Sequence, residues 1–288
     1  MPAANSLSLS NVAFLANAGP SFVGPLDDYT TGLARAWSVP RRLLTSYEGP
    51  LIRVRRSLDD EEEDFYPLAS GGLDTSLLLD FCGGGDGFIV TIYSQLADGL
   101  DLTQATAAAQ RRIVSSGVLE TLDGLPTARA TGAQGYATPA GSTYTGNVAS
   151  AFVRASIGSG TAYSRALSFT LGIFDDDYIS GSWAVITRVA SSQAIGGESG
   201  GALATLAITY DQSFVASSIL DGANNTLRVG AASDVVAFSA AISVNIALLG
   251  MIKVTSPFSG DPDCWSEGAV YHTDKTADEA AIRAALTP

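Results

Sequence analysis

From Trp37 onward the chain alternates short apolar runs with polar, glycine-bearing breaks. Leu51–Arg56 (LIRVRR) and Phe88–Tyr93 (FIVTIY) have the β-branched and aromatic content of strands. Beyond Gln110 more short apolar segments follow: Ala166–Phe174, Ser182–Val189, Leu203–Tyr210, Thr226–Val229 and Ser243–Val254. Stretches rich in turn-forming residues separate them, including Gly196–Gly201 (GGESGG) and Asp221–Asn225 (DGANN). Strands at this spacing, without βαβ alternation, predict an all-β antiparallel sandwich. Helical spacing is confined to two places. Asp74 can cap a short helix over Thr75–Phe81. At the end of the chain a strand-like Cys264–Asp274 precedes a helix, with Thr276 as cap, Glu279 as its reciprocal partner, and Ala280, Ile282, Ala285 and Leu286 as apolar contacts. Residues 1–30, rich in Ser, Ala, Asn, Gly and Pro, read as an extended arm, leaving residues 31–288 as one sandwich domain.

Composition fits this picture: 46% of the 288 residues are hydrophobic and only 16% are charged, enough for a substantial core. The net charge of −13 repels phosphate backbones, and the stripe Arg41, Arg42, Arg53, Arg55 and Arg56 is too short to reverse that field. Nucleic acid is therefore excluded as a partner. The most apolar stretch, Val235–Val254, is broken by Ser239, Ser243, Asn245 and Lys253, so membrane insertion is not expected. The first residues lack the basic and apolar regions of a secretory signal. Nothing in the spacing of Cys82 and Cys264 demands a bridge, and they read as two buried thiols.

Two long stretches carry a family resemblance: Ala36–Phe65 (AWSVPRRLLTSYEGPLIRVRRSLDDEEEDF) and Leu73–Val114, which contains LLLDFCGGGDGFIVTIYSQL. Together they resemble the N-terminal half of the catalytic module of family-B α-L-arabinofuranosidases, a pattern that phage genomes also use in virion proteins. The C-terminal strand, with Trp265, Gly268, Val270 and Tyr271, is similar to the last strand of laminin-G-like modules. Both resemblances imply a concanavalin-like (jelly-roll) sandwich. The enzymes' Tyr-Asp-Gln-Ser after the strand is here Tyr93, Ser94, Gln95, Leu96, which lacks the carboxylate, and no adjacent cysteine pair is present. No catalytic residue is carried over.

A glycosidase needs two carboxyl groups with divergent proton affinities. Candidates on predicted loops or beside glycine-rich segments are Asp175, Asp176, Asp177, Glu198 and Glu267. Asp175, Asp176 and Asp177, or Asp98 with Asp101, are also candidate Ca²⁺ ligands, the one cofactor the fold suggests. Exposed Tyr178, Trp183 and Trp265 are candidate platforms for glycan binding. The acidic run Asp59–Asp64 reads as a solvated loop, Gly83–Gly87 (GGGDG) as a tight loop before a strand, and His272 as an ordinary strand-end residue.

An enzyme-like scaffold without its carboxylate motif, preceded by an arm suited to docking, leads to the expectation of a non-enzymatic virion protein. Such a fibre, spike or decoration protein of a tailed phage is expected on the virion surface as a homo-oligomer. The arm would bind other virion proteins and the sandwich host cell-surface glycan. The alternatives are an arabinofuranosidase-like glycoside hydrolase and a bacterial surface adhesin.

Overall fold

The computed structural model describes residues 21–132, 134–158, 164–170, 183–188, 194–199, 202–249, 251–253, 256–257 and 264–287, to which every structural statement refers. Strands dominate these residues, with two short α-helices, α1 (Thr75–Cys82) and α2 (Glu279–Ala285), as an all-β sandwich requires.

The first sheet is centred on Cys264–Tyr271. Leu33–Ser38 and Ala128–Arg129 share one edge of that strand, and Val148–Ser156 pairs antiparallel along the other. Ser213–Asp221, Asn224–Val229 and Ala232–Ala237 then follow in order. The second sheet runs from Glu62–Phe65 through Ile52–Arg56, Gly87–Ile92 and Leu102–Thr103 to Tyr136–Ala137. It continues through Ile246–Leu249, Ser164–Thr170, Trp183–Arg188, Ala194–Ser199 and Ala202–Ala207. Arg112–Ser115 pairs with both Gly87–Ile92 and Ala128–Arg129 and so joins the two sheets at one end.

All of Cys264–Tyr271, and Val148–Ser156 from Ala149 on, is buried. One face of these strands, with Ala151, Val153, Ala216, Leu220 and Val270, shares a single apolar core with Ile52, Val54, Ile89 and Leu249 of the second sheet. The opposite face carries Phe152, Arg154, Ser217 and Glu267 and lies under α2 and the segment following Ser38. Glu279 of α2 accepts from the Ser217 hydroxyl at 2.5 Å. Arg41 Nη2 donates to the Ala285 carbonyl at 2.8 Å. Strands covered on both faces cannot show polar alternation.

Several sequence expectations change. Thr276 does not cap α2: its amide and hydroxyl both donate to Asp274 Oδ1, at 2.8 and 2.6 Å. Glu279 is buried against Ser217 instead of folding back as a capping partner, and Ala280 is exposed. The capping of α1 does match, since Asp74 Oδ1 accepts from Leu77 N at 3.0 Å. Most of Gly196–Gly201, expected as a turn, falls within the strand Ala194–Ser199, paired on both sides. The acidic run is partly strand, because Glu62–Asp64 sit opposite Arg55, Val54 and Arg53 and the arginines neutralise the edge.

The arm boundary also moves. Residues 1–20 lie outside the described residues, but residues 21–30 are packed on the sandwich. Leu26 is completely buried, and the Arg42 guanidinium lies 4.2 Å above the Phe22 ring. Gly71, at φ +90°, makes room for that ring: a Cβ there would come within 2.0 Å of Phe22 Cε2.

Candidate functional site

In the second sheet Arg53 stands between Asp64 on one neighbouring strand and Thr91 on the other. Strand alternation puts Tyr93 on the same face as Thr91. Its hydroxyl donates to Asp64 Oδ1 at 2.7 Å, and Arg53 grips both oxygens of Asp64, from Nε at 2.8 Å and from Nη2 at 2.9 Å. Burial raises the proton affinity of Asp64, but these hydrogen bonds outweigh it and hold the carboxyl below its ordinary range. Asp101, on the loop leading into Leu102–Thr103, shifts the opposite way. Burial and the nearby Asp98 raise its pKa against the single amide of Ser94, which donates to Oδ1 at 2.8 Å.

The two carboxyls share surroundings. Burial raises the pKa of both the Tyr47 and Tyr93 hydroxyls, and the charges of Asp64 and Asp101 add to that shift in each. Tyr66, 51% exposed, also acts on Tyr47. One carboxyl biased toward ionisation and one toward protonation, among tyrosines, is an arrangement that can exchange a proton with a bound hydroxyl or glycosidic oxygen.

The residues singled out in the sequence lie elsewhere. Asp175, Asp176, Asp177 and Tyr178 lie outside the described residues. Trp183 opens a strand, its backbone in register with Phe169 and Ser199, and Glu198 pairs with Ala184 and Leu203. Trp265 is only 1% exposed: it packs the core and presents no ring to a sugar, which corrects its reading as a platform. Glu267 is completely buried and takes a bidentate grip from Arg41, Nε to Oε1 at 2.7 Å and Nη2 to Oε2 at 3.1 Å, so it is a structural anion rather than a cleft acid.

Asp98 lies 3.6 Å from Arg35, and among the described residues no group of three or more His, Cys, Asp or Glu gathers in a way that could hold a metal ion. His272 stacks on Tyr144 with ring centres 4.0 Å apart, and burial, with the charge of Arg35, depresses its pKa to about 4. Cys82 is a buried free thiol, pushed up to about 11 by burial.

The Asp64–Tyr93–Asp101 group was missed because its parts belong to different local patterns. Asp64 closes an acidic run that reads as a loop. Asp101 restores a carboxyl beside the position where Ser94 lacks one, but it comes from a different segment of the chain.

Residues 26–162 match the family model described as "Alpha-L-arabinofuranosidase B, catalytic". Alpha-L-arabinofuranosidase B of Emericella nidulans (strain FGSC A4) is 41% identical over 104 residues, covering 34% of this chain and 20% of that protein. The alpha-L-arabinofuranosidase of Hypocrea jecorina is 38% identical over 85 residues, 28% of this chain and 17% of that enzyme. The chain thus spans about a fifth of the length of the relatives it matches. Among solved structures, an arabinofuranosidase complexed with arabinofuranosyl-alpha-1,2-xylobiose superposes with a TM-score of 0.64 at 22% identity, covering 91% of this chain and 65% of that one. That likeness establishes a shared sandwich fold.

These matches correct the expectation of a non-enzymatic virion protein at a virion surface. The similarity runs through a catalytic-domain model, and the relatives are arabinofuranosidases from fungi. The loss of one carboxylate at Ser94 was too local a sign to outweigh a resemblance that reaches well past Val114. Residues 26–162 are therefore similar to the catalytic domain of family-B α-L-arabinofuranosidases, and the chain shares the sandwich fold of a solved arabinofuranosidase.

Proposed function

We propose that this chain is a glycoside hydrolase that releases α-L-arabinofuranosyl groups. The observation that carries this reading is the match of residues 26–162 to the arabinofuranosidase catalytic model. The same stretch contains Asp64, Tyr93 and Asp101. In this reading Asp101, with its raised proton affinity, gives a proton to the departing glycosidic oxygen. Asp64, held ionised by Arg53 and Tyr93, stabilises the positive charge that develops on the sugar, and a water molecule adds to the anomeric carbon as the protonated leaving group departs, its proton passing to the Asp101 carboxylate.

Release of nitrophenol from 4-nitrophenyl α-L-arabinofuranoside tests both parts. The wild-type chain is expected to turn over, Asp101→Asn to lose about 100-fold or more in kcat, and Asp64→Asn to lose a comparable amount. No release by the wild-type chain overturns the hydrolase reading. Activity retained in Asp101→Asn but lost in Glu198→Gln keeps the function and moves the acid out of this site.

A further inference from the structure

Along the edge strand Glu62–Phe65, alternation turns Phe65, completely buried, toward the core and puts Asp64 and Tyr66 on the same outer face. Tyr66 is 51% exposed, and it lies close enough to Tyr47 to act on that hydroxyl, as Asp64 and Asp101 do. Leu68, two residues on, is also exposed.

The Tyr66 ring is open, but its backbone is fixed. Pro67 confines Tyr66 to an extended conformation. The Asp74 amide donates to the Tyr66 carbonyl at 3.3 Å, the Leu68 amide donates to the Gly72 carbonyl at 2.7 Å, and Pro67 is bridged to Leu73. Tyrosine has only two side-chain torsions, so a ring on such a base takes a flat partner at small entropic cost. Arginines cover Phe22, Phe81 and Phe88, whereas among the described residues no cation and no second ring lies on Tyr66. Charge narrows the choice of partner. Glu62 and Asp64 share the strand with Tyr66, and the cation paired across from them, Arg53, is committed to Asp64. An anionic ligand is repelled here, while a neutral one with a flat carbon face and a rim of hydroxyls suits an apolar ring beside carboxyls and phenols.

We propose that Tyr66 is the platform for the sugar that carries the arabinofuranosyl group, a neutral pyranose whose carbon face lies on the ring while its linkage oxygen faces the Asp64–Tyr93–Asp101 group. The placement of that oxygen rests on the hydrolase reading; the stacking does not. Tyr66 then sets which leaving sugars are accepted, and takes no part in proton transfer.

Calorimetric titration of the full chain with xylotetraose, a neutral pyranose chain, and with tetragalacturonate, a pyranose chain bearing a carboxylate on each ring, tests the assignment. Xylotetraose is expected to bind saturably, and tetragalacturonate at least about 10-fold more weakly. Tyr66→Ala is expected to weaken xylotetraose binding about 10-fold, and Tyr66→Phe to stay within about 2-fold of wild type, because the stack uses the ring and not the hydroxyl. Both variants are expected to melt near the wild-type temperature, since the side chain is exposed. Xylotetraose binding that survives Tyr66→Ala, or that is absent from the wild-type chain, overturns the proposal. Tetragalacturonate binding as tightly as xylotetraose refutes the choice of a neutral sugar. Nitrophenol release by a wild-type chain that does not bind xylotetraose leaves the hydrolase reading standing without the platform, and binding that Tyr66→Ala abolishes, in a chain that releases no nitrophenol, does the reverse.

Discussion

Truncating Ile282 to alanine measures how far the sandwich depends on its terminal helix. The seven-residue α2 is about 10 Å long, too short to hold its shape without docking. Its apolar contact rests on Ile282 and Leu286, both completely buried. Polar ties flank that contact: Glu279 on Ser217, and Arg41 on the last turn at Ala285. Ile282→Ala removes buried methyl and methylene groups and leaves a void that the rigid strand below cannot fill, a loss of about 2–5 kcal/mol. The polar ties keep the helix in place, so about 3 kcal/mol is the central expectation, which corresponds to a fall of roughly 6–12 °C in melting temperature for a domain of this size. Urea unfolding followed by tryptophan fluorescence gives the stability difference, and the unfolding slope should stay at its wild-type value. A loss below about 1 kcal/mol with an unchanged slope would show that α2 is not integral to the core.

Two further outcomes follow from buried titratable groups. The folded His272 titrates near 4 and the unfolded one near 6.5, so between those values the unfolded chain binds more protons; the stability present above pH 6.5 is lost progressively as the pH falls toward 4. His272→Gln is expected to flatten this part of a stability-against-pH curve, and an unchanged slope would refute the assignment. Burial raises the Cys82 thiol to about 11, so an aromatic disulfide reagent at pH 8 is expected to spare it in the native protein and label it in urea, with Cys82→Ser as the control; rapid native labelling would show that the thiol is open to solvent.

The sequence determined the class of fold, because class depends on local preferences. β-branched runs such as Ile52–Arg56 and Gly87–Ile92, broken by glycine and asparagine turns, could hardly build anything but antiparallel sheets. It also determined the Asp74 cap of α1 and the burial of Ile282, both set by contacts within a few residues or by helical period. The same local texture pointed to the resemblance to arabinofuranosidases, whereas the expectation of a virion protein, drawn from one missing carboxylate and a docking arm, is not supported by the matches.

Tertiary structure decided what local pattern cannot encode. Val148–Ser156 and Ser213–Asp221, at the centre of the first sheet, show little alternation because α2 and the segment after Ser38 cover the face turned away from the core. Glu279, by its spacing a capping residue, is drawn into the interior because Ser217, Arg228 and Arg283 meet there from three separate elements. Trp265 and Glu267, candidate site residues by composition, became core because their strand is flanked on both edges and covered on both faces. Asp64 and Asp101, 37 positions apart in the sequence, share two tyrosines only because strand pairing and one Ser94 amide bring them to the same surface. Proton affinity depends on burial and on the charges a few ångströms away, and those distances exist only once the sheets have closed.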